Sequence, residues 1–190
     1  MSTAPTHYIT PEEYLEQERR ADFRSEYTGG EVFAMAGGTS SHNRITGNIL
    51  SALRPQLRGK SCFVYANDMK VWIPDFAEFT YPDLALVCGE EQFRDQKRDV
   101  LLNPVLLVEV LSPTTSSYDR GEKFEKYRRI SSFHEYILVA QDRARVEHYQ
   151  WMDGGRWMLT FYTDLHSAVT FASVPVALRL ADVYEDVQFA

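Results

Sequence analysis

The sequence predicts a mixed α/β fold in which one central mixed β-sheet is flanked by helices and carries peripheral antiparallel hairpins. The segment LLVEVLS, Leu106–Ser112, is an apolar run bracketed by Pro104 and Pro113, which is typical of a strand buried on both faces. Helical and strand-like segments alternate along the chain. The helix expected at Ser117–Ile130 follows this strand directly and could serve as the crossover to a parallel neighbour.

The amino-terminal part is expected to form a helix, a hairpin and a second helix. Thr10 and Glu13 have the spacing of a capping box, so a helix should begin after Thr10 and run to about Ala21. Gly29–Gly30 predicts the turn of a hairpin. The second helix is predicted by apolar residues at helical spacing, namely Ile45, Ile49, Leu50, Leu53 and Leu57.

The rest of the chain reads mainly as strands. Strand-like stretches occur at Cys62–Tyr65, Met69–Ile73, Leu84–Cys88 and Val105–Leu111. After the helix at Ser117–Ile130, the segments EYILVA and RVEHYQWM are strand-like. Asp153–Gly155 predicts a turn into RWMLTFY, and a short helix in LRLADVYEDV should close the fold. Without repeats or linkers, residues 1–190 are expected to form a single domain.

Composition narrows the class of protein. A net charge of −7 argues against adhesion to DNA or anionic lipid through bulk charge, so a nucleic-acid site would have to be a local basic patch. No signal-peptide pattern or membrane-length apolar stretch is found, and the default expectation is a cytoplasmic protein. Cys62 and Cys88 lie in apolar, strand-like runs and are expected to be small buried side chains of a reducing compartment.

Two carboxylates are expected to approach each other in the central sheet. Glu109 interrupts the apolar run Leu106–Ser112, and a buried carboxylate is costly unless it is paired, protonated or bound to a metal. Asp83 stands at the beginning of the preceding strand, in YPDLALV. If the two strands are neighbours, these acids supply the hard oxygen ligands that Mg²⁺ prefers.

The following helix contributes positive charge. Asp119, Lys123 and Tyr127 are spaced by four residues and therefore share one helix face. A lysine near two acids could orient a water molecule or stabilise negative charge on a phosphate. Two acids, one lysine and Mg²⁺ together would form a workable phosphodiesterase site.

Seven segments follow one another along the chain: TPEEYLEQE, SEYTGGEVFAMAGG, SHNRITGNILSAL, YPDLALV, LLVEVLSPTT, YDRGEKFEKYR and EYILVA. Together and in this order they resemble the Uma-type family of restriction endonucleases, which is part of the PD-(D/E)XK nuclease superfamily. The resemblance covers roughly Tyr8 to Tyr149. It implies a restriction-endonuclease-like core, a DNA substrate, Mg²⁺ (or Mn²⁺ in its place) as cofactor and a homodimer.

The resemblance also implies roles for particular residues. Asp83 and Glu109 would be metal ligands, Lys123 the catalytic lysine and Glu26 an early acid near the metal. The usual lysine position, two residues after Glu109, is Leu111, so the lysine is displaced to the helix. Further residues near the metal or the DNA would be His42, Asp119, Arg120 and Lys126, and Lys126 competes with Lys123 for the catalytic role.

Each candidate also has a structural interpretation. Glu109 could be a buried acid paired with a lysine or arginine, and Lys123 a solvated helix lysine. Asp83 could end a turn, and Glu26 could pair across its hairpin. His42 could be a polar residue of a helix amino terminus.

Three functions therefore remain open at this point. The first is a Mg²⁺-dependent DNA endonuclease. The second is a catalytically inactive nuclease-like fold that serves as a nucleic-acid-binding or assembly module. The third, with weaker support, is a hydrolase that uses two carboxylates on another substrate, such as a glycosidase. A metal requirement would separate the first from the third.

Overall fold

A computed structural model describes residues 8–189 of the chain. The first strands are β1 (Ser25–Thr28), β2 (Glu31–Ala34), β3 (Cys62–Ala66), β4 (Lys70–Ile73), β5 (Glu78–Thr80), β6 (Leu84–Cys88) and β7 (Val100–Leu101). The later strands are β8 (Leu106–Leu111), β9 (Glu135–Ala140), β10 (Val146–Met152), β11 (Arg156–Tyr162), β12 (Ala168–Thr170) and β13 (Ala177–Arg179). This confirms the predicted mixed α/β class.

Four helices and one 3₁₀ turn, Pro74–Phe76, accompany these strands within the described residues. Helix α1 spans Pro11–Glu18 and α2 spans Ser40–Gln56. Helix α3 is one continuous rod built from an α-helical turn, a π-helical turn and another α-helical turn, at Ser116–Tyr118, Asp119–Lys123 and Phe124–Tyr127. Helix α4 is the single turn Leu180–Val183. None of the helices is long and apolar enough to traverse a bilayer.

The central sheet has six strands in the order β11-β10-β9-β8-β6-β3. Strands β8 and β9 pair in parallel, and all other neighbours in this sheet are antiparallel. Helix α3 connects β8 to β9, because parallel neighbours require a crossover connection. The predicted crossover is therefore confirmed.

Alternating side chains of β8 divide the core into two layers. Leu106, Val108 and Val110 pack against α2 together with Ile45 and other apolar residues. Leu107 and Leu111 belong to the second layer, on the side of α3. Successive strand residues point to opposite faces, so Glu109 also projects toward α3.

A second sheet of five strands, β2-β1-β5-β4-β7, was not predicted from the sequence. Strand β1 pairs with β2 through the predicted hairpin and also with β5. The short strands β5 and β7 contain only three and two residues, which is too few to show a periodic pattern. This sheet places Glu26 of β1 beside the segment that leads into β6.

The predicted amino terminus of α1 agrees with the structure. Thr10 and Glu13 form the reciprocal hydrogen bonds of a capping box, although α1 ends at Glu18 and not near Ala21. Thr39 caps α2 through the backbone N–H of His42. This cap places His42 in the first turn of α2, beside Asp83.

The expectation of two reduced cysteines was wrong. Cys62 of β3 and Cys88 of β6 form a disulfide, with their Cα atoms 4.0 Å apart. The two residues are directly opposite each other in the antiparallel β3–β6 pair. Pairing between distant strands brings the thiols together, and their spacing in the sequence does not reveal this register.

Candidate active site

The predicted acids and lysine meet between β8, α3 and the start of β6. We call Glu26, Asp83, Glu109, Asp119 and Lys123 the acid–lysine cluster. Leu84 and Val108 are opposite each other in the antiparallel β6–β8 pair, so Asp83 comes close to the middle of β8. Asp83 is anchored there, because its Oδ2 accepts a hydrogen bond of 2.7 Å from the backbone N–H of Val110.

Lys123 is the central cation of this cluster. Its side chain is 8% exposed, and Nζ lies 2.9 Å from Glu109 Oε1, 3.6 Å from Glu26 Oε1 and 3.9 Å from Asp119 Oδ1. Burial alone would lower the pKa of Lys123, but the surrounding carboxylates raise it well above its usual value. Lys123 therefore remains a buried ammonium ion.

Glu109 is both buried and incompletely neutralised. Tyr127 donates a hydrogen bond of 2.9 Å to its Oε1, the same oxygen that contacts Lys123. Burial raises the pKa of Glu109 to about 8; Lys123 opposes this increase, while Asp83 and Asp119 add to it. A site that favours protonation of its own carboxylate lacks positive charge, so it is suited to bind a cation.

Glu26, on strand β1 of the second sheet, pairs with Lys123. Its Oε1 accepts hydrogen bonds from the Thr80 hydroxyl at 2.7 Å and from the Tyr81 backbone N–H at 3.1 Å. Burial would raise the pKa of Glu26, but Lys123 and these hydrogen bonds together lower it. Glu26 is therefore expected to carry its negative charge beside Lys123.

His42 borders the cluster at Asp83, and Asp119 is the member of the cluster that lies on α3 beside Lys123. His42 Nε2 lies 2.8 Å from Asp83 Oδ1, and this hydrogen bond raises the pKa of His42 although burial acts against it. Thr115 donates a hydrogen bond of 2.8 Å to Asp119 Oδ2. Burial raises the pKa of Asp119. Lys123 and the Thr115 hydrogen bond oppose this increase but do not cancel it.

Two predicted residues form their ion pairs with acids that do not belong to the cluster. Arg120 contacts Glu147 of β10, with its Nη2 2.9 Å from Oε1. Lys126 lies 2.9 Å from Glu78 Oε2, so it does not approach Glu109. Of the two candidate lysines, Lys123 is the one beside Glu109.

Sequence reasoning did not assign site roles to Thr80, Thr115 and Tyr127. Tyr127 was noticed on the helix face of Lys123, and its spacing of four residues was the available signal. Thr80 immediately precedes Tyr81, but nothing local shows that its hydroxyl reaches Glu26 on the neighbouring strand β1. The contacts of Thr80 and Tyr127 follow from the pairing of β1 with β5 and from the packing of α3 against β8.

The donor chemistry of Asp83 and Glu109 fits a divalent cation. Within residues 8–189, no three His, Cys, Asp or Glu side chains form a ready-made metal centre. Mg²⁺ does not require one, because it commonly takes one or two protein carboxylates and completes its shell with waters and substrate phosphate. Glu109 Oε2 accepts no hydrogen bond from the described part of the chain, so this oxygen is available as a ligand.

The architecture is that of the restriction-endonuclease-like α/β proteins. A crystal structure of a "putative nuclease belonging to DUF820" from Anabaena variabilis superposes with a TM-score of 0.72 over 95% of this chain and 99% of that one, at 18% identity. The chain belongs to the Uma2 family, described as "putative restriction endonuclease", whose model matches residues 11–181.

Two curated relatives come from Synechocystis sp. The uncharacterized protein sll1609 is 33% identical over 93% of this chain and 99% of its own length. The uncharacterized protein slr1290 is 31% identical over 98% of this chain and 97% of its own length. Family membership therefore extends over nearly the whole chain.

Proposed function

We propose that this protein is a Mg²⁺-dependent endonuclease that hydrolyses phosphodiester bonds of DNA at the acid–lysine cluster. The observation that carries the proposal is the 2.9 Å contact between Lys123 Nζ and Glu109 Oε1, beside Asp83 on the neighbouring strand. Buried acids are rare unless they are compensated, and here several acids surround one lysine. Family membership supports nuclease chemistry.

Asp83 and Glu109 would hold the cation, which when bound would polarise the phosphate and lower the pKa of the attacking water. The Val110 N–H orients Asp83, and the Tyr127 hydroxyl orients Glu109. Lys123 would stabilise negative charge that develops on the phosphate. Glu26 would keep Lys123 protonated and in place.

The test is cleavage of supercoiled plasmid DNA with Mg²⁺ or Mn²⁺ by wild type, Glu109→Gln and Lys123→Met. Each variant has a matched control of similar burial. Lys70→Met removes a lysine whose side chain is 6% exposed, against 8% for Lys123, but which pairs with Asp99. Glu135→Gln removes a buried strand acid that pairs with His148.

We expect the wild type and both controls to cut the plasmid, and Glu109→Gln and Lys123→Met to lose cleavage by two or more orders of magnitude while remaining folded. Circular dichroism checks folding. Equal cleavage by Glu109→Gln and wild type would refute the assignment.

A catalytically inactive binding or assembly module is the second candidate. One observation favours it, since Lys123 contacts three of the carboxylates and so compensates part of their negative charge. Calorimetric titration with Mg²⁺ separates the two functions. Binding heat that disappears in Glu109→Gln supports the nuclease, whereas DNA binding without any Mg²⁺ binding supports the module.

We also propose that the protein forms a homodimer through β11. This strand is an edge of the six-stranded sheet, and Met158, Leu159 and Phe161 are 40–50% exposed on it. It contains no proline and only one charge, Arg156, so nothing blocks pairing with another edge. Antiparallel pairing of two copies about Leu159 places Arg156 opposite Tyr162 and brings no like charges together.

The cytoplasmic location remains a prediction. Disulfides are rare in a reducing cytosol, so the Cys62–Cys88 bond weighs against it. Fractionation of the native host, followed by detection of the protein, would decide the compartment.

A further inference from the structure

A cleft of about 380 Å³ opens at the base of the β1–β2 hairpin, next to the acid–lysine cluster. Phe23, Arg24, Met35, Asp68 and Tyr81 are among its lining residues. Its volume lies within the range of small-molecule sites in proteins. No step of the proposed hydrolysis uses it.

Two backbone contacts join the cleft to the cluster. Tyr81 lines the cleft, and its backbone N–H donates a hydrogen bond to Glu26. Asn67, the neighbour of Asp68, donates its backbone N–H to the carbonyl of Asp83 at 3.0 Å. The cleft therefore adjoins the backbone of Asp83 and shares Tyr81 with the surroundings of Glu26.

The charges of the cleft disfavour a second phosphate. Glu18, Asp22 and Asp68 line it, and Arg24 is its only lysine or arginine among the described residues. Arg24 is already engaged, with Nη1 2.8 Å from Asp68 Oδ1 and 3.0 Å from the Asn67 carbonyl oxygen. The excess of carboxylates would repel a phosphate but can accept hydrogen bonds from an amino group.

Phe23 offers a stacking surface at the rim of the cleft. Its side chain is 66% exposed, the highest value among the large apolar residues of the described chain. Its ring takes part in none of the aromatic or cation–π contacts formed within residues 8–189. A planar base can cover such a ring, and stacking of this kind tolerates any base sequence.

From this juxtaposition we infer that the cleft binds one unpaired nucleobase with an exocyclic amino group, next to the scissile phosphate. Phe23 would stack on the base, and Asp68, helped by Asp22, would accept the amino hydrogens. The base must leave a duplex or come from a single strand, since a paired base cannot enter a cleft. This inference rests on the proposed nuclease function and specifies its substrate.

The test measures fluorescence anisotropy of labelled oligodeoxycytidylate, oligodeoxythymidylate and a mixed-sequence duplex, with Ca²⁺ replacing Mg²⁺ to measure binding without cleavage. The variants are Phe23→Ala, Phe23→Trp and Asp68→Asn. The matched control is Phe63→Ala, because Phe63 is 47% exposed on the edge strand β3 and does not line the cleft.

We expect Phe23→Ala to weaken binding of oligodeoxycytidylate by roughly 5- to 100-fold, while Phe23→Trp restores it and Phe63→Ala matches the wild type. Asp68→Asn should reduce the preference for cytosine over thymine. The inference is overturned if Phe23→Ala binds like Phe63→Ala, or if the wild type binds both homopolymers equally.

Hydrolysis of bis(p-nitrophenyl) phosphate by the wild type tests the acid–lysine cluster separately, because this diester carries no base. If it is hydrolysed and Phe23→Ala has no effect on binding, the cleft inference fails and the nuclease proposal stands. If it is not hydrolysed with any divalent cation, the nuclease proposal fails, and the anisotropy measurements still decide whether a base occupies the cleft.

Discussion

At the scale of the residue, Glu109 is an ionisable carboxyl group buried against the central sheet. Its carboxylate lies between the lysine and the tyrosine of one helix face, and Asp83 and Asp119 add negative charge nearby. Burial of an acid without full compensation destabilises the folded state. The acid–lysine cluster therefore lowers the stability of the folded state at the place where the proposed chemistry needs a cation, as functional sites often do.

The raised pKa of Glu109 predicts how stability depends on pH. The folded state binds a proton at this group up to about pH 8, whereas an unfolded glutamate releases it near its ordinary pKa of 4.5. The contribution of Glu109 protonation to the free energy of unfolding is therefore fully present below pH 4.5 and is lost as the pH rises to 8. Over this window the loss is on the order of 5 kcal/mol for this one group.

Glu109→Gln cannot titrate, so its free energy of unfolding should fall less between pH 5 and pH 9 than that of the wild type. Urea denaturation at several pH values, without divalent cations, measures the difference. Parallel pH profiles for the two proteins would contradict the prediction. Glu135→Gln serves as the control, because burial acts to raise the pKa of Glu135 but hydrogen bonds from His148 and Ser173 outweigh it and keep this pKa below its usual value.

At the scale of the element, α3 aligns three functional groups on one side. Asp119 and Lys123 begin and end its π-helical turn, and Tyr127 follows one turn later. Turns of this type often occur at functional sites. The helix is also the crossover between β8 and β9, so the connection required by the parallel pair carries the lysine to Glu109.

The disulfide between β3 and β6 supports a second prediction at this scale. It closes a loop with a sequence separation of 26 residues and fastens the strand that begins after Asp83. Loss of this cross-link increases the conformational entropy of the unfolded chain. The free energy of unfolding should therefore fall by about 3 kcal/mol.

Cys62→Ser and Cys88→Ser should therefore unfold at lower urea concentration than oxidised wild type, and the reduced wild type should resemble them. Thiol titration of the denatured, unreduced protein should detect no free cysteine. Two free thiols in that assay would show that the bond is absent.

At the scale of the whole molecule, the long edge strand β11 predicts the oligomeric state. A dimer formed across β11 would join two six-stranded sheets into one and cover the apolar residues exposed on this edge. Each protomer would present one cleft to one DNA strand. The two-fold axis would therefore allow the dimer to cut both strands of a duplex.

Leu159→Lys places two like charges face to face at the two-fold axis, so it should convert a dimer into a monomer of 21.9 kDa. Light scattering after size-exclusion chromatography measures the mass. Phe63→Lys, on the opposite edge of the same sheet, should remain dimeric. A wild type that is monomeric at all accessible concentrations would contradict the proposed interface.

The sequence by itself determined the local features of this protein. Periodicity and capping predicted α1, the hairpin and the buried strand β8, because these signals depend on residues close together in the chain. The apolar surroundings of Glu109 also marked it as a residue that needs compensation. The choice between Lys123 and Lys126 remained open, as both lie on the same helix.

Only the tertiary structure decided what depends on pairing between distant segments. The β6–β8 register places Asp83 beside Glu109. The orientation of α3 about its own axis directs Lys123 to Glu109 and Lys126 to Glu78. The second sheet and the disulfide likewise arise from strand pairing across the chain. Local propensity cannot encode such registers, because they are set by the simultaneous burial of the apolar faces of all the elements.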